Sequence, residues 1–187
     1  MIVGLVLFLG VHSIAIVSPA LRDRSIERLG AGAWKGAYGL VSLLGFVLIC
    51  YGFGLARQAP EVLYVPPTWL RHLAVLLLLP VFPLLFAAYL PGPIKTAAKH
   101  PMLAAVKLWA FAHLLANGRV ADVVLFGGFL AWAVIDRISL KRRPVRVLRT
   151  APPRRWNDAI AVIVGLAVYA LVIGWAHEWL IGVSPLA

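Results

Sequence analysis

Residues 99–143 read KHPMLAAVKLWAFAHLLANGRVADVVLFGGFLAWAVIDRISLKRR. Two apolar runs flank a turn at Asn117-Gly118, and basic residues stand at both outer ends. The pattern predicts a hairpin of two helices, one over 101–116 and one that is opened by Arg119 and Asp122 and ends at Arg137. Polar groups within the apolar runs make this hairpin the part of the chain in which chemistry is most expected.

The rest of the chain repeats this apolar pattern. Of its 187 residues, 62% are hydrophobic, and the mean hydropathy is +0.91. The apolar runs are about twenty residues long, the length that crosses a hydrocarbon core of roughly 30 Å. The sequence therefore predicts an all-α, polytopic membrane bundle that forms a single domain over 1–187. The six predicted helices are 2–17, 31–55, 69–90, 101–116, 119–137 and a last one, capped by Asn157 or Asp158, that ends near Leu180.

Proline and glycine modify two of these helices. Pro80 and Pro83 predict a kink in the middle of the third helix. Gly32 and Gly36 form a GxxxG pair in the second, which either allows close approach of another helix or reflects how common glycine is in membrane helices.

Charge predicts the partner and the orientation. The net charge of +11 falls between the apolar runs rather than on one soluble face, so the expected partner is the lipid bilayer and not nucleic acid. The loops after helices two and four carry three basic residues. The loops after helices one, three and five carry fourteen: Arg22, Arg24, Arg28, Lys35, Lys95, Lys99, Arg137, Lys141, Arg142, Arg143, Arg146, Arg149, Arg154 and Arg155. We expect a multi-pass protein of the bacterial inner (cytoplasmic) membrane, with both termini periplasmic.

Two histidines lie within apolar runs, His12 and His113. A neutral imidazole there needs a partner, which is either a hydrogen-bonded packing neighbour or a metal or haem iron. On a helix, Trp109 and Asn117 share the face of His113. Trp109 can pack against a flat macrocycle and Asn117 can make a polar contact, although an ordinary helix contact has the same pattern.

Lys107 lies about 240° around the helix from His113, so it faces elsewhere. It either extends its amine towards the cytoplasm or pairs with a carboxylate. Asp136, near the cytoplasmic end of the next helix, is the expected partner, and we predict a structural Lys107–Asp136 ion pair. The sequence has no GxSxG, HExxH, Walker or GxGxxG motif.

The hairpin, together with VHSIAIVSPALRDR near the start, resembles the NnrU family of bacterial membrane proteins over essentially the whole chain. The resemblance implies a link to denitrification, with a nitrite or nitric oxide reductase system as partner. The family is also similar to 15-cis-zeta-carotene isomerase, a haem b membrane enzyme. That similarity implies haem b held by His12 and His113 as axial ligands, with Trp109 and Asn117 beside it. The isomerase has a redox-active cysteine where this chain has Ala110, so ligand exchange on reduction is not expected.

The depths of the two histidines differ. His12 lies about ten residues from the outer end of its helix and His113 about four, which places them roughly 9 Å apart in depth. If the pair is wrong, His72, on the outer side of the third helix, is the alternative ligand.

Three classes of function follow. The leading one is a haem b-binding membrane protein of the NnrU type, acting in nitrogen-oxide respiration or in isomerase-like redox chemistry on an apolar substrate. The second is an S-adenosylmethionine-dependent membrane methyltransferase, since Lys99-His100-Pro101 resembles a step in the isoprenylcysteine carboxyl methyltransferases. The third is a non-enzymatic assembly factor or accessory subunit of nitric oxide reductase.

Overall fold

The computed structural model describes residues 1–143 and 150–186, and the regular secondary structure of these residues is helical. Arg146 and Arg149, two of the fourteen basic residues counted above, lie outside the described residues, as does Ala187 at the end of the predicted domain. The α-helices are α1 Ile2–Val17, α2 Pro19–Ala56, α3 Thr68–Leu78, α4 Val81–Tyr89, α5 Pro93–Ala98, α6 Pro101–Ala116, α7 Val120–Ser139, α8 Asn157–Leu171 and α9 His177–Ile181. A π-helical stretch, Val172–Ala176, joins α8 to α9.

Three helical spans are long and apolar enough to cross a membrane: Pro19–Ala56, Thr68–Tyr89 and Asn157–Ile181. The apolar helices α1 and α6 are shorter, at 16 residues each. Helix α7 has 20 residues but carries Asp122, Asp136 and Arg137. The prediction of an all-α membrane bundle is confirmed, while the number of six crossings stays a prediction.

The predicted hairpin lies at the centre of the bundle. Helix α6 packs against α3, α4 and α7. Helix α1 packs against both α7 and α2, and α8 packs against α4. The core cluster accordingly draws on four of these helices: Leu5, Ile49, Ala110, Leu125 and Phe126. The hairpin thus supplies the surface on which the outer helices pack.

The second helix begins earlier than predicted. Ser18 caps it, its hydroxyl accepting a hydrogen bond from the backbone of Leu21, and Pro19 occupies the first turn. Helical geometry is interrupted only at Gly30, where φ is +80° and ψ is 153°. The basic residues between Arg22 and Arg28, expected in a loop, therefore lie on a helical segment, Pro19–Leu29, that precedes the apolar part of α2.

The third predicted helix is divided rather than bent. Helix α3 ends at Leu78 and α4 begins at Val81, on either side of Pro80. The proline has no N–H to donate and its ring displaces the preceding turn, so the helix is interrupted at Pro80, where a kink was predicted, while Pro83 lies within α4.

The start of the last helix differs in its cap. The predicted cap at Asn157 or Asp158 is wrong: both residues lie inside the first turn of α8, and Trp156 is the N-cap residue, with no side-chain capping bond. The Asn157 amide instead donates to the carbonyls of Pro91 and Pro152, at 2.8 and 3.1 Å. Asp158 accepts a bond from the backbone of Ile94. The side chains of both residues are therefore bonded to segments that pack beside α8, at Pro91, Ile94 and Pro152.

The close helix contact is made by other glycines than the predicted pair. Apart from the backbone of their own helix, no described residue has an atom within 4 Å of a Cβ built on Gly32 or Gly36. A Cβ on Gly4 would stand 2.6 Å from the backbone nitrogen of Ile49, and one on Gly45 would stand 2.8 Å from that of Phe8. Helices α1 and α2 thus touch backbone to backbone at Gly4 and Gly45, the close approach that small residues permit.

Candidate functional site

His113 lies on α6, one turn before its end. Its Nδ1 donates to the carbonyl oxygen of Trp109 at 2.7 Å, because a carbonyl can only accept. Its ring stacks on Phe126, with centroids 4.4 Å apart. The ring is fixed in orientation, and Nε2 is left with the lone pair that a metal ligand needs.

Trp109 and Asn117 surround His113, as expected from the helical spacing, but with defined structural roles. Trp109 packs edge-on against Phe126 and Phe129, at 5.1 and 5.4 Å between centroids. The side-chain amide of Asn117 donates to the backbone carbonyl of His113 at 2.9 Å and so closes the end of α6. Both residues support the position of His113. Their predicted role beside a cofactor stays a prediction.

His12 has the same local arrangement on α1. Its Nδ1 donates to the carbonyl of Phe8 at 2.7 Å, and its ring stacks on that of Phe8 at 4.3 Å. Tyr38 of α2 and Trp132 of α7 complete the ring contacts, at 5.2 and 6.1 Å. His12 therefore also has Nε2 free.

The structure does not bring the rings of His12 and His113 into contact. Among the described residues, their ring neighbours have no member in common. Between them runs a row of rings formed by Phe8, Phe129 and Trp109, with centroids 5.8 and 5.4 Å apart. His72, the alternative ligand, lies exposed on α3.

A groove opens beside His12, between α1 and α2. It holds about 450 Å³, and its walls are largely apolar. Arg22 and Lys35 line it as cations, and Tyr38 contributes a hydroxyl. Arg22 also pairs with the exposed Asp23 at 3.0 Å. The apolar lining residues are Val11, Ile14, Ala15, Ile26, Ala31 and Trp34. Gly30 changes the direction of α2 between residues 19–29 and the apolar part of the helix. Both parts therefore line the groove, the first with Arg22 and Ile26 and the second with Trp34.

His177 is the site residue that the sequence reasoning did not identify. Its ring lies 6.5 Å from that of His113, centroid to centroid. The two residues are separated by 64 positions along the chain. No local pattern in the sequence indicates this contact, since it depends on how α8 and α9 pack.

Asp136 makes its ion pair with Arg143 and not with Lys107, within residues 1–143. The predicted Lys107–Asp136 pair is therefore corrected. Helix α7 ends at Ser139, and Arg143 lies four residues beyond it in a turn, from which its side chain extends back to Asp136. Lys107 instead lies among the cations around His100.

His100 is the residue that precedes the first turn of α6, in the Lys99-His100-Pro101 step. Partial burial lowers the pKa of His100, and the charges of Arg137, Arg143 and Lys107 lower it further, while Asp136 opposes them. Lys99 has φ of +59°, and the backbone nitrogen of His100 donates to the carbonyl of Ala98 at 2.6 Å. This is a γ-turn, a strained conformation for a residue with a side chain. The methyltransferase function stays untested by this geometry.

Comparison with known proteins gives one match. The family model described as NnrU protein matches residues 1–185, which include both histidine positions and the groove. No curated protein matches the chain, and neither does any solved structure.

Proposed function

We propose a function for this chain from the premise that it belongs to the NnrU family: it binds haem b within the membrane, in the groove beside His12. The observation that carries the proposal is the position of His12 at the edge of an apolar groove with cations. Its Nδ1 is already bonded to a backbone carbonyl, so Nε2 is free for an axial bond to iron.

The groove fits the chemistry of a haem in three respects. Its apolar walls suit a flat macrocycle, and the ring of Trp34 can pack against one. Arg22 and Lys35 can each pair with a haem carboxylate. His12 supplies the imidazole. Bound haem would provide one-electron redox chemistry, and the protein residues would hold it, orient it and exclude water.

The proposal assigns His12 as an axial ligand but departs from the predicted pairing with His113. The row of rings formed by Phe8, Phe129 and Trp109 separates the two imidazoles. His113 does not line the groove, so it is not included in this haem site. A role in nitrogen-oxide respiration is part of the proposal through the family alone.

A visible spectrum of the detergent-purified full chain tests the proposal. We expect a Soret band from a haem with one histidine ligand, and loss of that band in His12→Ala. The matched control is His113→Ala, which removes an equally fixed imidazole outside the groove and should keep the band. Replacing Arg22 and Lys35 by Gln should weaken haem retention without changing the ligand.

Two outcomes would contradict the haem assignment. A purified protein that shows no Soret band even after haem is supplied would favour the accessory-subunit class. A band that survives in His12→Ala and disappears in His113→Ala would place the haem at the other histidine.

We also propose an orientation in the inner membrane, from the fourteen-to-three distribution of basic residues. A reporter fused after Leu140 should lie in the cytoplasm, and one fused after residue 187 in the periplasm. The measurement is the activity of a reporter that functions on one side only. Activity of both fusions on the same side would exclude this topology.

A further inference from the structure

Four half-buried basic side chains lie together where α6 begins and α7 ends. His100 precedes the first turn of α6, and Arg137 belongs to the last turn of α7, which packs against α6. Lys107 stands about two turns after His100, and because Cα–Cβ bonds tilt towards the start of a helix, its stem extends back towards that residue. The charges of Lys107, Arg137 and Arg143 all act on His100. These four residues form the cation cluster of the hairpin.

The cation cluster holds more positive than negative charge. Among the described residues, Asp136 is the one carboxylate whose charge acts on His100, and it is paired with Arg143. Lys107 and Arg137 are therefore in excess, and both are half-buried. The Nε atom of Arg143 is buried and has no hydrogen-bond partner in the described part of the chain. Charges and donors that are withdrawn from water without partners raise the free energy of the folded protein, so the cluster favours an anion from outside the chain.

An apolar helix surface lies directly beside the cluster. Val134, Ile135 and Ile138 of α7 are exposed. Val134 precedes Arg137 by three residues and therefore shares its helix face. Lys107 likewise lies within the apolar run of α6. A ligand whose anionic group meets the cations can thus place an apolar part along Val134, which is the construction of a phospholipid. A free anion would use the cations alone.

We propose that the cation cluster binds the phosphate group of an anionic phospholipid, with an acyl chain along Val134 of α7. Guanidinium groups form paired hydrogen bonds with phosphate oxygens, and an ammonium group adds a point charge. Basic sites between helices at the membrane surface bind headgroups of this kind. The groove at His12 is lined by described residues between Val11 and Tyr38, so the lipid site is separate from it and does not depend on haem.

Dioleoyl-phosphatidylglycerol is the probe, added to the detergent-purified full chain and counted by native mass spectrometry. We expect the first molecule to bind more tightly than dioleoyl-phosphatidylcholine, which has the same phosphate and chains but no net charge. Lys107→Gln and Arg137→Gln should each weaken this binding about five-fold, and about thirty-fold together, from the contribution of one cation at a headgroup. The matched control is the double change Lys141→Gln and Arg142→Gln, which removes the same charge from two exposed positions. It should change the affinity for the first lipid little.

Equal losses of affinity in the two double variants would overturn the inference, because binding would then follow net charge and not a site. Equal affinity for the two lipids would also overturn it. The Asp136–Arg143 pair is intact in all these variants, and circular dichroism establishes that each is folded. Arg137→Lys keeps the charge, so it should retain most of the affinity that Arg137→Gln loses.

Sodium phosphate, compared with sodium chloride at equal ionic strength, tests the source of the phosphate group. We expect the lipid to raise the melting temperature and inorganic phosphate to leave it unchanged. A rise with inorganic phosphate alone that equals the rise with the lipid, and that is lost in the Lys107→Gln and Arg137→Gln double variant, would assign the cluster to free phosphate and overturn the assignment to a lipid.

Discussion

Replacing Asp136 by Ala is expected to lower the free energy of unfolding by about 3–5 kcal/mol, the cost of leaving a buried charge without its partner. The side chains of Asp136 and Arg143 are only 13% and 17% exposed. Nε of Arg143 is buried and has no hydrogen-bond partner among the described residues, so its guanidinium depends on the carboxylate. The measurement is unfolding of the purified protein in a detergent titration, followed by circular dichroism.

A double-mutant cycle identifies the partner of Asp136. The Asp136→Asn and Arg143→Met changes should couple, so that the double variant loses less stability than the sum of the two single variants. Lys107→Met is the matched control, because it removes a nearby cation that the structure does not pair with Asp136. Coupling of Asp136 to Lys107, with additivity towards Arg143, would restore the pairing that the sequence suggested.

Gly4→Ala is expected to destabilise the contact between α1 and α2 by about 1–3 kcal/mol or more, the range for overpacking. The new methyl group would stand within 2.8 Å of three backbone atoms of α2, so the helices must separate. Gly45→Ala should act in the same way from the other side. The measurement is again the unfolding transition in detergent.

Gly10→Ala is the matched control on the same helix. Apart from its own helix backbone, no described residue has an atom within 4 Å of a Cβ at that position, so the substitution should be neutral or stabilise by up to about 1 kcal/mol through helix propensity. Equal effects at positions 4 and 10 would show that the backbone contact does not exist. Gly32→Ala should resemble Gly10→Ala for the same reason.

The sequence predicts the features that local signals determine, such as where helices begin, end or are interrupted. Pro101 and the Asn117-Gly118 turn bound α6, and the proline at position 80 divides α3 from α4. Gly32 and Gly36 show the limit of such signals: their spacing is that of a packing motif, but the contact is made by Gly4 and Gly45. The spacing of two glycines identifies a helix face that allows close packing. Whether another helix packs on that face depends on how the whole bundle assembles.

The residues of the candidate site also fall into two groups, those that the sequence identifies and those that only the structure shows. The resemblance and the apolar surroundings identified His12 and His113, but only the structure shows the row of rings between them. His177 could not be found from sequence, because its contact with His113 spans 64 residues. The Asp136–Arg143 pair is different, since Arg143 follows α7 in a turn only seven residues after Asp136, within reach of a long side chain. The error there was to favour a partner on the neighbouring helix.

The groove beside His12 has a consequence for the order in which the protein assembles. Its described lining residues all lie between Val11 and Tyr38. Contacts that are close in sequence close small loops and form early, before those that join distant segments. The groove is therefore complete as soon as the first two helices have left the ribosome and packed. The contact between His113 and His177 can form only after α9 has been synthesised, so a ligand of the groove has access to the nascent chain while that end of the bundle is still incomplete.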